Sequence, residues 1–171
     1  LRSLEKDGKT YLLVANHMSD LDPLAIVYHC EKPISFVAKK ETRKMPFIGT
    51  AVKALDGFFM DRSDLRQSIE VIRGVQKRLE EGHCSYMIFP EGTRNRAPET
   101  TGVASFHPGS FKAGMLPKAP IIPLALYGTW RPFHSRPDYK RNPVEFTFFK
   151  PYEAEDYATL SSGEMAITAQ T

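Results

Sequence analysis

The 171 residues fit one compact α/β domain, long enough to bury a substantial core. Apolar residues make up 42% and charged residues 25%, which excludes a disordered or fibrous chain. A formal charge of +3 and a pI near 8.8 are too mildly basic to imply a nucleic-acid partner, and they suit anionic substrates or an anionic membrane face.

From the N-terminus, Leu1 to Lys9 is charged and leads directly into a strand, so no signal peptide is expected. Tyr11-Leu-Leu-Val-Ala15 is a short apolar run typical of a buried strand. Asp22-Pro23 favours a helix start and predicts a helix across Leu24 to His29. Ile34 to Ala38 reads as a second strand, Pro46 to Leu55 as a helix, and Phe58-Phe-Met60 as a third strand after Gly57. The clearest helix runs from Asp64 to about Glu81, with Ser63 as its N-cap. Leu65, Ile69, Ile72, Val75 and Leu79 form one apolar face, and Gly82 supplies the stop. Cys84 to Phe89 and Ile121 to Leu126 are further strands, and Val144 to Phe149 is a late, edge-like one. A short closing helix follows Ser161. Strands alternating with helices predict a mostly parallel sheet flanked by helices on both faces.

The longest apolar stretch, Ala119 to Tyr127, is nine residues, short of the roughly 18 that a membrane-spanning helix needs. Two cysteines, Cys30 and Cys84, with no metal-ligand spacing, fit buried thiols in a reducing setting.

Two strands end in polar segments. The first runs into Asn16-His-Met-Ser-Asp-Leu-Asp22, and the one at Cys84 to Phe89 runs into Pro90-Glu-Gly-Thr-Arg-Asn95. Ligands of open parallel sheets sit in the crevice outside the carboxyl ends of strands, so both segments are expected to share one site. His17 and Asp22 stand five apart, a pairing that chance gives about 0.2 times in this composition, so spacing alone is weak support. Their chemistry is apt: a neutral imidazole takes a proton from an alcohol, and a carboxylate fixes its tautomer. A histidine that caps a helix or sits satisfied in the core is the commoner case. Glu91-Gly-Thr-Arg94 offers an arginine fork for phosphate and a glycine that lets backbone amides approach an anion, although a plain turn with a surface arginine has the same pattern. Gly57-Phe-Phe-Met-Asp-Arg62 delivers a cation just before the long helix, where pairing with Asp61 or Asp64 is the simple alternative. Lys32, Lys39, Lys40, Arg43, Lys44 and Lys53 face only Glu31 and Glu41, with Phe36 and Phe47 among them. They make either a membrane-facing or phosphate-attracting rim or an ordinary solvated face.

Together and in order, four segments resemble the bacterial-type 1-acylglycerol-3-phosphate acyltransferases of the glycerolipid acyltransferase superfamily, over nearly the whole chain. Asn16-His-Met-Ser-Asp-Leu-Asp22 matches that family's NHxSxxD block and Gly57 to Arg62 its second block. Phe89-Pro-Glu-Gly-Thr-Arg94 matches the third, and Ala119-Pro-Ile-Ile-Pro-Leu124 the fourth. The resemblance implies a glycerol-3-phosphate acyltransferase-like fold across residues 1–171 and transfer of an acyl group from a thioester to the sn-2 hydroxyl of lysophosphatidic acid. His17 becomes the general base and Asp22 its partner, and Arg62 and Arg94 hold the headgroup phosphate. Glu91, Gly92 and Thr93 shape that pocket, and Lys39 is a headgroup lysine with Lys40 a near-equal candidate. His107 and Lys112 are taken as structural. No metal and no cofactor are expected, with acyl-CoA or an acyl carrier protein as donor. The resemblance also implies an N-terminal membrane-associated segment that these residues do not contain. The expected location is the cytoplasmic face of the cell membrane, held peripherally or by a segment outside this chain. The loop Trp130 to Arg136, with Lys140 and Arg141, is a candidate lipid contact.

Other readings compete, the first being acyl transfer to another lysophospholipid. Asp20-Leu-Asp22 as the DxD of a metal-dependent sugar transferase predicts loss of activity to a chelator. A lipid-headgroup binding module predicts that His17→Ala has no turnover to remove. A metallohydrolase on His17, Asp20 and Asp22 lacks a second ligand cluster.

Overall fold

The computed structural model describes residues 5–95, 102–134 and 143–171. In chain order the elements are β1 (Leu12–Ala15), α1 (Asp22–His29), β2 (Ile34–Lys39), α2 (Ile48–Ala54), β3 (Phe58–Met60), α3 (Leu65–Glu80) and β4 (Ser85–Ile88). They continue as α4 (Lys112–Met115), β5 (Ile121–Tyr127), α5 (Arg131–His134), β6 (Glu145–Phe148) and α6 (Ser162–Gln170). One six-stranded sheet has the order β3-β2-β4-β1-β5-β6, parallel throughout except for the antiparallel edge strand β6. The expected α/β architecture is therefore present, and β6 is the edge strand read from Val144 to Phe149.

Strand β1 lies at the centre and all four of its residues are buried, because helices cover both faces. Successive side chains alternate between faces, so Leu13 and Ala15 join Ile26 of α1 and Val52 of α2 in one core. Leu12 and Val14 join Val75 and Leu79 of α3, Phe111, and Met165 of α6 in the other. These side chains are buried, and each one larger than alanine stabilises by roughly 1.5–3 kcal/mol relative to exposure.

The crossover from β1 to β2 passes over the first face, and the chain from β4 to β5 passes over the second. Because β1 and β4 are adjacent and paired in parallel, with Val14 opposite Ile88, their outgoing loops part and leave a crevice between them. This topological switch point is where open α/β sheets bind ligands.

Local signals explain most boundaries. Helix α3 ends in a Schellman motif: Gly82 (φ +64°) lets its own N–H reach the Leu79 carbonyl at 3.1 Å and the His83 N–H reach Arg78 at 3.0 Å. Its N-cap is Asp64, accepting from the Gln67 N–H at 3.0 Å, and not Ser63, whose hydroxyl is held by Asp61. The apolar face of α3 also starts later than its periodicity predicts. Val71, Val75 and Leu79 are buried, whereas Leu65 and Ile69 are 75% and 45% exposed. Helix α6 carries a full capping box between Ser161 and Glu164. Helix α2 begins two residues after Pro46 because a tight turn at Phe47 precedes it. Cys30 and Cys84 are half-buried free thiols, and burial raises the pKa of both, that of Cys30 to about 11.

Trp130 corrects an expectation. It is buried, packed edge-on against Tyr127 at 4.8 Å with the Arg131 guanidinium over its ring, so it does not reach lipid. Arg136, Lys140 and Arg141 lie outside the described residues.

Candidate active site

The chain leaves β1 through Asn16, whose side chain extends the sheet where the strand stops. Its amide nitrogen donates to the Leu126 carbonyl at 3.0 Å, and its carbonyl accepts from the Leu126 N–H at 2.7 Å. This pins the end of β1 to β5 and fixes where His17 emerges. The His17 ring stacks on Phe89 from the end of β4, with centroids 4.1 Å apart.

His17 Nδ1 lies 2.8 Å from Asp22 Oδ2. An ionised carboxylate only accepts, so Nδ1 carries the proton and Nε2 keeps its lone pair as a base. The same Asp22 oxygen accepts from the Met18 and Ser19 N–H groups at 2.7 and 2.9 Å, so the loop winds around the carboxylate that orients the ring. Asp22 is buried, and its other oxygen has no hydrogen-bond partner among the described residues.

Glu91 is the second brace. Its carboxylate accepts from the His17 N–H at 2.6 Å and from the Ala104 N–H at 2.9 Å. Burial raises the pKa of this carboxyl, and the two amide hydrogen bonds oppose the rise. Glu91 therefore shapes the site from behind the wall. Glu91→Gln keeps the size but offers one acceptor for two donors, so its amino group must face one N–H. The expected result is a loss of about 1–3 kcal/mol, read as a lower Tm in a thermal melt, together with slower turnover.

In front of these braces is a cleft of about 270 Å³ lined by His17, Asp20, Lys39, Arg62, Gly92, Thr93 and Arg94, with Phe36 and Ile48 on its apolar side. Six of the eight expected site residues thus line one cavity, and Asp22 and Glu91 stand behind it. Arg94 is ion-paired to Asp20 at the rim. Among the described residues no carboxylate lies within ion-pair distance of Arg62. Asp61 binds Lys40 at 2.8 Å and Asp64 caps α3, so the simple pairing is not adopted. Burial lowers the Arg62 pKa from its usual value. Lys39 lines the cleft 3.5 Å from Glu41, whereas Lys40 is engaged with Asp61, which separates the two lysine candidates.

Gly92 sits at φ +73°, and a Cβ there would lie 2.9 Å from His107 Cδ2 and 3.6 Å from Arg62 Nη1. His107, read as structural, thus has its ring against the cleft wall. Its backbone N–H donates to the Pro90 carbonyl at 2.9 Å, a long-range turn that its sequence position does not announce. Lys112 stays on the far side in α4, its carbonyl bonded to Gln76 at 3.0 Å.

Among the described residues no group of three or more His, Cys, Asp or Glu side chains is arranged to hold a metal ion. Asp20 is turned to Arg94, and Asp22 is enclosed by His17 and two amides, so the two carboxylates do not converge as a DxD pair.

The sheet, its switch point and a histidine–carboxylate pair beside cationic side chains define an α/β protein with one polar cleft at the carboxyl ends of its strands. A family model described as Acyltransferase matches residues 2–127, and the chain belongs to that family. It is 33% identical over 147 residues to a probable 1-acyl-sn-glycerol-3-phosphate acyltransferase of Mycoplasma pneumoniae, covering 80% of this chain and 52% of that protein. It is 26% identical over 159 residues to the 1-acyl-sn-glycerol-3-phosphate acyltransferase of Saccharomyces cerevisiae, covering 92% and 52%. The chain thus spans about half the length of these relatives. The crystal structure of the 1-acyl-sn-glycerophosphate (LPA) acyltransferase PlsC from Thermotoga maritima superposes with a TM-score of 0.71 at 24% identity, covering 94% of this chain and 62% of that one, a likeness of fold.

Proposed function

We propose that this chain carries the catalytic domain of a 1-acylglycerol-3-phosphate acyltransferase, moving an acyl group from a thioester to the sn-2 hydroxyl of lysophosphatidic acid and giving phosphatidic acid. The observation that carries this reading is the 2.8 Å His17–Asp22 contact at the edge of a cleft that also holds Lys39, Arg62 and Arg94.

His17 Nε2 takes the hydroxyl proton as the acceptor oxygen attacks the thioester carbonyl. The tetrahedral oxyanion collapses, the C–S bond breaks, and the imidazolium returns the proton to the leaving thiolate. The amides of His17, Met18, Ser19, Gly92 and Asn95 are all bonded within the protein. Those of Thr93 and Arg94, with no acceptor among the described residues, are left to meet the oxyanion, a contact contributing about 3 kcal/mol to the transition state. Arg62, Arg94 and Lys39 hold the phosphate and act by positioning. The thioester, acyl-CoA or an acyl carrier protein, supplies the driving force, so the scheme assigns no step to a metal or cofactor. A lipid acceptor and the mildly basic chain support work at a membrane surface, which we propose is the cytoplasmic face of the cell membrane.

Thioester-dependent acylation of lysophosphatidic acid in detergent, with EDTA present, tests the reading. Turnover that survives EDTA and falls by about 10³ or more in His17→Ala is expected. Turnover indifferent to His17 removes the mechanism, and loss to EDTA favours the metal-dependent alternative.

A further inference from the structure

From Lys39 to Lys44 the chain carries four cations and one acid, Glu41, and then turns into α2 through Met45, Pro46 and Phe47. The turn is tight. The Met45 N–H reaches Thr42 at 3.0 Å, the Gly49 N–H reaches Met45 at 3.0 Å, and the Ile48 N–H closes a three-residue turn onto Pro46 at 2.7 Å. That last bond holds Phe47 at φ +64°, ψ −53°, a conformation that residues with side chains rarely adopt. Gly49 seals the knuckle, since a Cβ there would sit 2.4 Å from the Arg43 carbonyl.

Of the side chains so displayed, Arg43 has its guanidinium 6.0 Å from the Phe59 ring centroid. Phe47 is 89% exposed and Met45 44%. Arg43 and Lys44 meet no carboxylate within ion-pair distance among the described residues, whereas Lys39 and Lys40 have Glu41 and Asp61. On the same face of the sheet, α1 also exposes Leu24 and Tyr28 one turn apart. Thr42 and Ile48, from the same turn, line the cleft that contains His17.

We infer that this knuckle docks on an anionic lipid surface, with Phe47 and Met45 entering the interface and Arg43 and Lys44 against the headgroups. Cations attract anionic lipid, and an aromatic held away from its own core has somewhere to bury. The cleft mouth is then brought to the bilayer that would supply the acceptor. Only this last consequence rests on the proposed acyl transfer.

The test is co-sedimentation of the protein with phosphatidylcholine vesicles with and without phosphatidylglycerol, comparing Phe47→Gly and Arg43→Ala/Lys44→Ala. Glycine adopts the Phe47 conformation freely, so Phe47→Gly should keep or raise the Tm while weakening vesicle binding about tenfold. Each cation removed should cost about fivefold on the anionic vesicles and nothing on the neutral ones. Arg94→Ala should bind vesicles normally. Turnover of a short-chain lysophosphatidic acid dissolved as monomers should be unchanged in Phe47→Gly, which separates this inference from the proposed reaction. Vesicle binding unaffected by Phe47→Gly, or no binding to anionic vesicles, overturns it and leaves the knuckle as a seat for another protein segment.

Discussion

Asp22→Asn is expected to lower kcat by about 10³ while leaving the fold and both KM values nearly intact. The asparagine oxygen can take the place of Asp22 Oδ2 and accept from His17 Nδ1, Met18 N and Ser19 N as the carboxylate does. Two backbone donors on that oxygen hold the amide in this orientation and preserve the tautomer. The amino group then falls where Asp22 Oδ1 already lacks a partner, exchanging one unsatisfied atom for another. The change in stability should stay within about 1 kcal/mol. What disappears is the negative charge beside the imidazolium formed as the acceptor loses its proton. Two unit charges about 4 Å apart interact by about 4 kcal/mol at an effective dielectric of 20, and a barrier raised by that amount is about a thousandfold in rate. A thermal melt with steady-state kinetics checks both halves. A kcat within tenfold of the parent would show that the buried carboxylate only shapes the loop.

The parts of this site legible in the sequence are those in which local chemistry and chain order carry the information. Strand β1 and strand β4 end in polar blocks, and the rule that parallel strands present ligand sites at their carboxyl ends brings those blocks together before any pairing is known. Their pairing side by side, Val14 opposite Ile88, makes the crevice. Contacts set by tertiary partners were not legible. Nothing in Asn16 says that its amide will close a gap against Leu126, 110 residues on, and nothing in Glu91 says that its two oxygens serve His17 and Ala104. Lys39 ends β2 and Lys40 opens the turn that follows, and which of the two faces the cleft depends on how β2 lies beside β4. Helix α3 shows the same limit. Its apolar period is real from Val71 to Leu79, where the sheet and Phe58 lie against it at Gly74, but it runs on through Ile69 and Leu65, which no described element covers.

Arg94→Ala should raise KM for lysophosphatidic acid about 30-fold, with kcat and the KM for the thioester changed by no more than about twofold. A charged hydrogen bond to an ionised group contributes about 1.5–3 kcal/mol, and about 2 kcal/mol corresponds to this factor. The ion pair to Asp20 does not offset the effect, because both side chains are largely exposed, 40% and 54%, and a surface pair of this kind contributes only about 0–1 kcal/mol. A phosphate can therefore take the guanidinium from Asp20 at little expense, and Asp20→Asn should lower the acceptor KM slightly. Lysine in place of Arg94 keeps the charge but loses the planar fork, so Arg94→Lys should fall between parent and alanine. The deciding comparison is a monoacylglycerol acceptor, which has the same hydroxyl and no phosphate. If Arg94 reads the headgroup, parent and Arg94→Ala turn this acceptor over equally. If the variant loses as much on the neutral acceptor, Arg94 supports the loop that carries Thr93 rather than the phosphate, and the headgroup must be assigned to Arg62 and Lys39.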